Sequence, residues 1–585
     1  MRPIKRLSIS IVLLLVGAWA ASSLWAQTLP EAGFITLEKT DHYFHSGSWS
    51  NRIALRSSPT RLWYVYQPAD EDPLSKPLFV FFNGGPGSAT STGLLSTNTG
   101  RLTVWRDGTT GYSAIIVNSA SWTRIGNILY VDSRTAGFSY SLMDDPSDEE
   151  ARWAEFDAQN YNPFIDGTDF VRLILRFLDA HPAIRSNRVV LVPESYGGIR
   201  TDVMLHLLLY YERYRDGSEV YQNPELVEEI RRHYNLVFPE YAGGTVPPSA
   251  VARQFGHQIL IQTALTWPYQ RQVAVEKLEA PGSILDQLAA ETGVPYVRYR
   301  DQPGANPNPT PNQVMNYIYS YLDQIGRDPY ICSKPAAFFQ GQRDAARAFL
   351  TRTDTLSLLI GLDAAQIQEM YAAARGQAYK TKYAGGYSYD IDFSALIGPP
   401  PSEEELAGAF APAGEDDMAA VFGGLKPWDR FFIDSNPDVT NAFAWNLVTF
   451  QGYDVAYQST DLYGRLFLEN TAWVETFATD AALDIVVFTP ALPEALGLHT
   501  DILSRSEFDA SGPSSAARPG RIILTYRSGA VPGSTVTTRT VRFPHYGQSG
   551  HAVTLTEPQE LLEDVMDWLG DTGSQPPNDE ARRIS

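Results

Sequence analysis

Val189-Val190-Leu191-Val192-Pro193-Glu194-Ser195-Tyr196-Gly197-Gly198 is an unbroken apolar run that stops at a serine held between an acid and two glycines. Such a run reads as a strand over 188–192, buried on both faces within a parallel sheet. A serine at its end, with a helix starting immediately behind it, has the shape of a nucleophile elbow, a sharp turn whose strained geometry lifts the hydroxyl above the sheet. Ser195 is therefore the first candidate for chemistry. Gly197 and Gly198 leave room for backbone that must approach the turn closely. Pro193 stands where the G-x-S-x-G pattern has its first glycine, so the pattern is half kept and one strand-end donor is absent. Taken alone, the same residues also fit an ordinary strand-to-helix turn.

A second segment adds to the first. Leu78 to Phe82 is a continuous apolar strand running into Asn83-Gly84-Gly85-Pro86-Gly87-Ser88, a turn whose amides can point at a ligand. In a hydrolase of this kind one oxyanion donor comes from such a loop and the other from the residue after the nucleophile, here the amides of Gly85 and Tyr196. No Gly-Lys-Ser/Thr follows, which argues against a phosphate loop.

These two segments, with Asn127-Ile128-Leu129-Tyr130-Val131-Asp132, Gly137-Phe138-Ser139-Tyr140-Ser141 and a late Gly550-His551, resemble the serine carboxypeptidases and occur in that family's order. The resemblance covers roughly 57–210 and 484–569. It implies an α/β-hydrolase fold, with a central, mostly parallel twisted sheet flanked by helices. It also implies secretion, a peptide substrate, and removal of single residues from peptide C-termini under acidic conditions.

α/β-Hydrolases run serine, acid, histidine along the chain. His551 is the strongest of the nine histidines, in a glycine-bearing loop between the strand-like 538–543 and a C-terminal helix from Pro558 with Leu561, Leu562, Val565, Trp568 and Leu569 on one face. His545 and His499 are weaker alternatives. For the acid, Asp484-Ile485-Val486-Val487-Phe488 reads as a strand, and Glu494 falls at the offset beyond it where the family has an aspartate. A glutamate can orient the histidine in the same way. Asp501 is the runner-up, and loss of the acid is a third reading.

The resemblance assigns the substrate's free carboxylate to Asn83, Gly84 and Glu194. An acid binds a carboxylate when the two share one proton, whereas two anions side by side repel, so this pocket implies work at low pH. The family commonly has a second glutamate about a dozen residues past the glycine turn. Here Ser96-Thr97-Asn98-Thr99-Gly100 stands there, with Thr97 or Asn98 as neutral substitutes.

Composition fits an exported enzyme. Residues 1–26 have a basic start, an apolar centre and small residues before Ala26-Gln27, the pattern of a signal peptide and not of a stable membrane span, so the destination expected is secreted or periplasmic. The single cysteine, Cys332, forbids an intramolecular disulfide, as befits a large bacterial enzyme with enough core to need no covalent staple, and it reads as a packed apolar residue. A formal charge of -21, from 46 basic and 67 acidic side chains, argues against nucleic acid as a partner. No histidine pair has metal-ligand spacing and no dinucleotide fingerprint occurs, so neither metal nor cofactor is expected. Oligomeric state is not legible.

The domain plan follows from the chain order of the triad. Residues 27–211 and 442–570 form one interrupted hydrolase domain; 212–441, helical in pattern, is an insertion capping the site; 571–585 is a polar tail read as disordered. Helices are expected near 224–233, 283–291, 312–324, 342–350 and 364–374. The alternating Trp63-Tyr64-Val65-Tyr66 reads as a strand with one buried face. An acyltransferase or esterase on the same triad, and a non-catalytic binding protein on the same fold, remain as alternative functions.

Overall fold

The computed structural model describes residues 29–45, 52–142, 161–265, 269–372, 377–379, 390–392, 432, 434–435, 462–487, 504–506, 521–527 and 536–573. Its centre is a sheet whose main strands, in chain order, are β1 (Glu31–Leu37), β2 (Thr60–Gln67), β3 (Leu78–Phe82), β4 (Asn127–Val131), β5 (Val189–Pro193), β6 (His257–Leu260), β7 (Glu475–Ala478) and β8 (Val536–Arg542). In space they run β1-β2-β4-β3-β5-β6-β7-β8. From β4 to β8 every pairing is parallel, while β1 and β2 join antiparallel at one side. This is the expected α/β-hydrolase arrangement.

The apolar runs of β3 and β5 are continuous because both faces are covered. Leu78, Val80, Phe82, Val189 and Leu191 enter one core with α1 (Pro163–Ala180) and α2 (Gly197–Leu209). Phe79, Phe81, Val190 and Val192 enter a second core on the other face. Trp63 and Val65 likewise face one core and Tyr64 and Tyr66 the other, so that strand is buried on both faces, not one. Helix α1 starts where Pro163 fixes the first turn and the Asn162 side chain accepts from the amides of Phe164 and Ile165.

The stretch 212–441 divides differently from its helical reading. His257–Leu260 within it is β6, a central strand, and 345–370 rejoins the second core through Ala345, Leu350, Leu359 and Ile367. A strand of four residues, two of them polar, gave no periodic signal. What leaves the sheet is α3 (Tyr269–Leu278), α4 (Ile284–Thr292), α5 (Pro311–Gln324) and a hairpin of Arg327–Asp328 with Ile331–Pro335. A third core, from Val273 to Cys332, belongs to this insertion and includes Ile485. Helix α5 begins with a capping box, Thr310 with Gln313, and Pro311 in its first turn. The chain then forms α6 (Ala336–Leu350), and the last described helix is α7 (Pro558–Gly573), whose Leu561, Leu562, Val565 and Trp568 are buried as expected. Helix α7 runs past Gly570, into the stretch read as tail. Among the described residues no helix is long and apolar enough to cross a membrane; the leader-like 1–26 lies outside them.

Candidate active site

Four loops at the carboxyl ends of β3, β5, β7 and β8 meet over the sheet, which is where open parallel sheets place ligands. After β5, Ser195 is held at φ +58°, a left-handed conformation that costs a non-glycine residue energy and marks the elbow. The ladder enforces it: the Glu194 amide donates to Phe82 O at 3.0 Å and the Ser195 amide to Ile261 O at 3.2 Å. Ser195 is half-buried, and α2 begins two residues later.

After β3, the glycine turn lies directly against the elbow. A Cβ on Gly84 would overlap the Tyr196 amide nitrogen and come within 2.9 Å of Ser195 Cβ, so only glycine fits. Gly85 takes φ +101°. Asn83 is fixed on every side: its amide donates to Thr90 Oγ1 at 3.0 Å, its Oδ1 accepts from the Leu94 amide at 3.0 Å, and its Nδ2 donates to Glu194 Oε2. Beneath it, Arg200 of α2 donates to Asn83 O at 2.8 Å and pairs with buried Asp166 at 2.7 Å. The structure thus brings Asn83, Gly84 and Glu194 together. Thr97 and Asn98 do not join them. Thr97 Oγ1 meets Thr554 Oγ1 at 3.1 Å and Asn98 Nδ2 donates to Thr554 O at 3.2 Å, leaving Glu194 without the expected neutral partner.

After β8, His551 is buried with Nδ1 3.2 and 3.3 Å from the two carboxylate oxygens of Asp484. A carboxylate only accepts, so the proton sits on Nδ1 and Nε2 is left as a base. Nε2 has no hydrogen-bond partner among the described residues. Glu494 and Asp501, the acids expected from the sequence, lie outside the described residues. The expected strand over 484–488 is a correction: 484–487 is not strand, and the strand of this part of the sheet is β7, Glu475–Ala478. The rule that the acid sits a few residues beyond its strand holds once the right strand is used, and it selects Asp484. Ile485 and Val487 are buried and Val486 half-buried without being sheet, so an apolar run here does not mark a strand.

Asp484 is oriented by a residue with no motif. Gln262 Oε1 accepts the Thr479 hydroxyl at 3.0 Å and the Ala481 amide at 3.3 Å, which turns its Nε2 to Asp484 Oδ2 at 3.0 Å. The Val486 amide adds 2.9 Å to Oδ1. Burial opposes a charged His551, but the Asp484 carboxylate beside it, with Glu194 adding, outweighs this and raises its pKa. Burial raises Glu194 to about 6, against the pull of His551 and the Asn83 hydrogen bond. Glu194, next to Ser195 in sequence, is thus within electrostatic range of both His551 and Asp484.

The inserted hairpin closes the corner over the histidine. The His551 amide donates to Tyr330 O at 2.7 Å, the two rings meet edge to face at 5.2 Å, and a Cβ on Gly550 would lie 2.5 Å from Tyr330 O. Buried Cys332 packs in the insertion core. Among the described residues no group of three histidine, cysteine or acidic side chains could hold a metal.

A half-buried serine on a strained elbow, a glycine turn against it, and a histidine with a buried aspartate sit where the α/β-hydrolase fold gathers its site. Residues 43–216 match the family described as serine carboxypeptidase. It is similar to serine carboxypeptidase-like 41 of Arabidopsis thaliana, 30% identical over 158 residues that cover 27% of this chain and 30% of the relative. The mouse lysosomal protective protein is 30% identical over 160 residues, 26% of this chain and 29% of its own length. The matched segment therefore spans under a third of either relative. A prohormone-processing carboxypeptidase from Saccharomyces cerevisiae superposes with a TM-score of 0.43 at 12% identity, over 93% of this chain and 92% of its own.

Proposed function

We propose that the protein is a serine carboxypeptidase that cleaves C-terminal residues from peptides and favours acidic pH. Ser195 attacks the scissile carbonyl, His551 Nε2 takes the proton and returns it to the leaving amine, and the amides of Gly85 and Tyr196 receive the oxyanion. Asp484 holds the imidazole in the required tautomer, the role expected of Glu494 on sequence alone. Water then releases the acyl group by the same steps in reverse order. Export under the leader-like 1–26 belongs to this reading.

The observation that carries the exopeptidase reading is the contact of half-buried Asn83 with buried Glu194 beside the elbow. A protonated Glu194 can donate to a substrate carboxylate, and its pKa of about 6 makes that form abundant only in acid. Deprotonated, it repels the same group. His551 imposes the opposite demand, since its raised pKa leaves less neutral base at low pH. A comparison that cancels the histidine is therefore needed.

An N-acyl dipeptide with a free C-terminus and its C-terminal amide both require His551, and only the first requires the carboxylate pocket. The ratio of their kcat/KM values should be about tenfold to hundredfold at pH 5, the worth of one charge-assisted hydrogen bond, and should fall as the pH passes about 6. Glu194→Gln, which donates without titrating, should flatten the fall. Equal rates on acid and amide at every pH would leave an esterase, acyltransferase or endopeptidase on the same residues.

A further inference from the structure

Helix α6 carries Arg343 into electrostatic range of Glu194. Its Nε and Nη2 both donate to Asp434 Oδ2, at 3.0 and 2.6 Å, and Nη1 makes no hydrogen bond to a described residue. Asp434 is itself pinned beside the glycine turn, for its Oδ1 accepts the Thr92 hydroxyl and its carbonyl accepts the Ala89 amide at 2.8 Å. One residue further, Gly93 abuts the Asn83 side chain. On its other flank, Arg343 lies 5.8 Å from the Phe339 ring, Phe339 stacks on Tyr330 at 5.1 Å, and Tyr330 meets His551. The guanidinium therefore stands between the loop that presents Asn83 and the hairpin that holds the histidine.

We propose that Arg343 is the cationic part of the substrate-carboxylate pocket, attracting the free C-terminus that Asn83, Gly84 and Glu194 receive and keeping that attraction when Glu194 is ionised. The inference rests on the carboxypeptidase reading above and adds a residue that no motif marks. It answers a shortage the site itself displays: Thr97 and Asn98 turn away to Thr554, so among the described residues Glu194 has no second acid or amide with which to share a proton. A cation recognises a carboxylate without any shared proton. Among the described residues the charged and titratable groups around Arg343 are Asp434, Glu194, Asp328 and Tyr330, with His551 behind Tyr330. Asp434 engages two of its donors through a single oxygen, which fixes the side chain and leaves Nη1 for a ligand.

The test compares the wild type, Arg343→Met and Arg343→Lys on the N-acyl dipeptide acid and its amide at pH 5 and pH 8. The wild-type acid-to-amide ratio should drop between the two pH values and stay above one at pH 8. Arg343→Met should lower the pH 8 ratio about tenfold, through KM for the acid, and Arg343→Lys should retain most of it. An unchanged pH 8 ratio in Arg343→Met overturns the proposal. So does a loss of turnover on acid and amide alike in both variants, which would make Arg343 a structural pin between α6 and Asp434. A wild type with no acid preference at pH 5 sinks the carboxypeptidase reading and this inference together. A wild-type preference that Arg343→Met leaves intact at pH 8 sinks this inference alone.

Discussion

Asp484 and Glu194 are buried carboxyl groups that share one site and differ in their neighbours. Asp484 collects donors from Gln262, Val486 and His551, whereas among the described residues Glu194 receives only the Asn83 amide at its side chain and is pushed up by burial. Environments that separate two acids in this way assign them different tasks. Asp484→Asn should therefore lower kcat by about 10⁴ with the fold retained, because the amide stabilises the wrong imidazole tautomer. Glu494→Gln should stay within a few-fold of wild type. Steady-state kinetics on both variants decide, and the reverse pattern returns the role to Glu494. Ser195, Glu194, Asn83 and His551 were legible because short motifs carry them. Asp484 was visible only as the first letter of an apolar run, and Gln262, Arg200 and Arg343 have no local signature at all.

At the scale of elements, the helices were read well and the short strands were not. The expected helix near 312–324 is Pro311–Gln324 and that near 224–233 is Pro224–Val237, because proline, a capping side chain and a 3.6-residue apolar period all mark such segments. β6 and β7, four residues each, offer too few positions for a period, and parallel pairing between β6 and β7 joins residues more than two hundred apart in sequence. The hairpin that carries Tyr330 is a further element whose role is tertiary. Since a Cβ on Gly550 would press on Tyr330 O, Gly550→Ala must displace either the hairpin or the histidine loop. We expect a loss of stability of about 1–3 kcal/mol together with a lower kcat. Thermal unfolding and turnover measured side by side check this, and a variant unchanged in both would mean that the hairpin does not bear on His551.

At the scale of the whole molecule, three cores meet around one loop. Ile485 is fully buried in the insertion core while Asp484 beside it belongs to the site over the main sheet. Ile485→Ala should cost about 2–5 kcal/mol and also reduce kcat, since the cavity opens next to the acid. If urea unfolding shifted with kcat untouched, the insertion would be a passive cover. The sequence by itself determined the hydrolase architecture, the elbow, the glycine turn and the histidine, because each depends on residues adjacent in the chain, whose backbone strain, close approach and apolar runs are local. Which acid faces His551, where the insertion leaves the sheet, and that Arg343 pairs with Asp434 beside the glycine turn were decided only by tertiary structure. Those facts join residues from distant strands and helices, and the distances between them are set by packing, which no local pattern encodes.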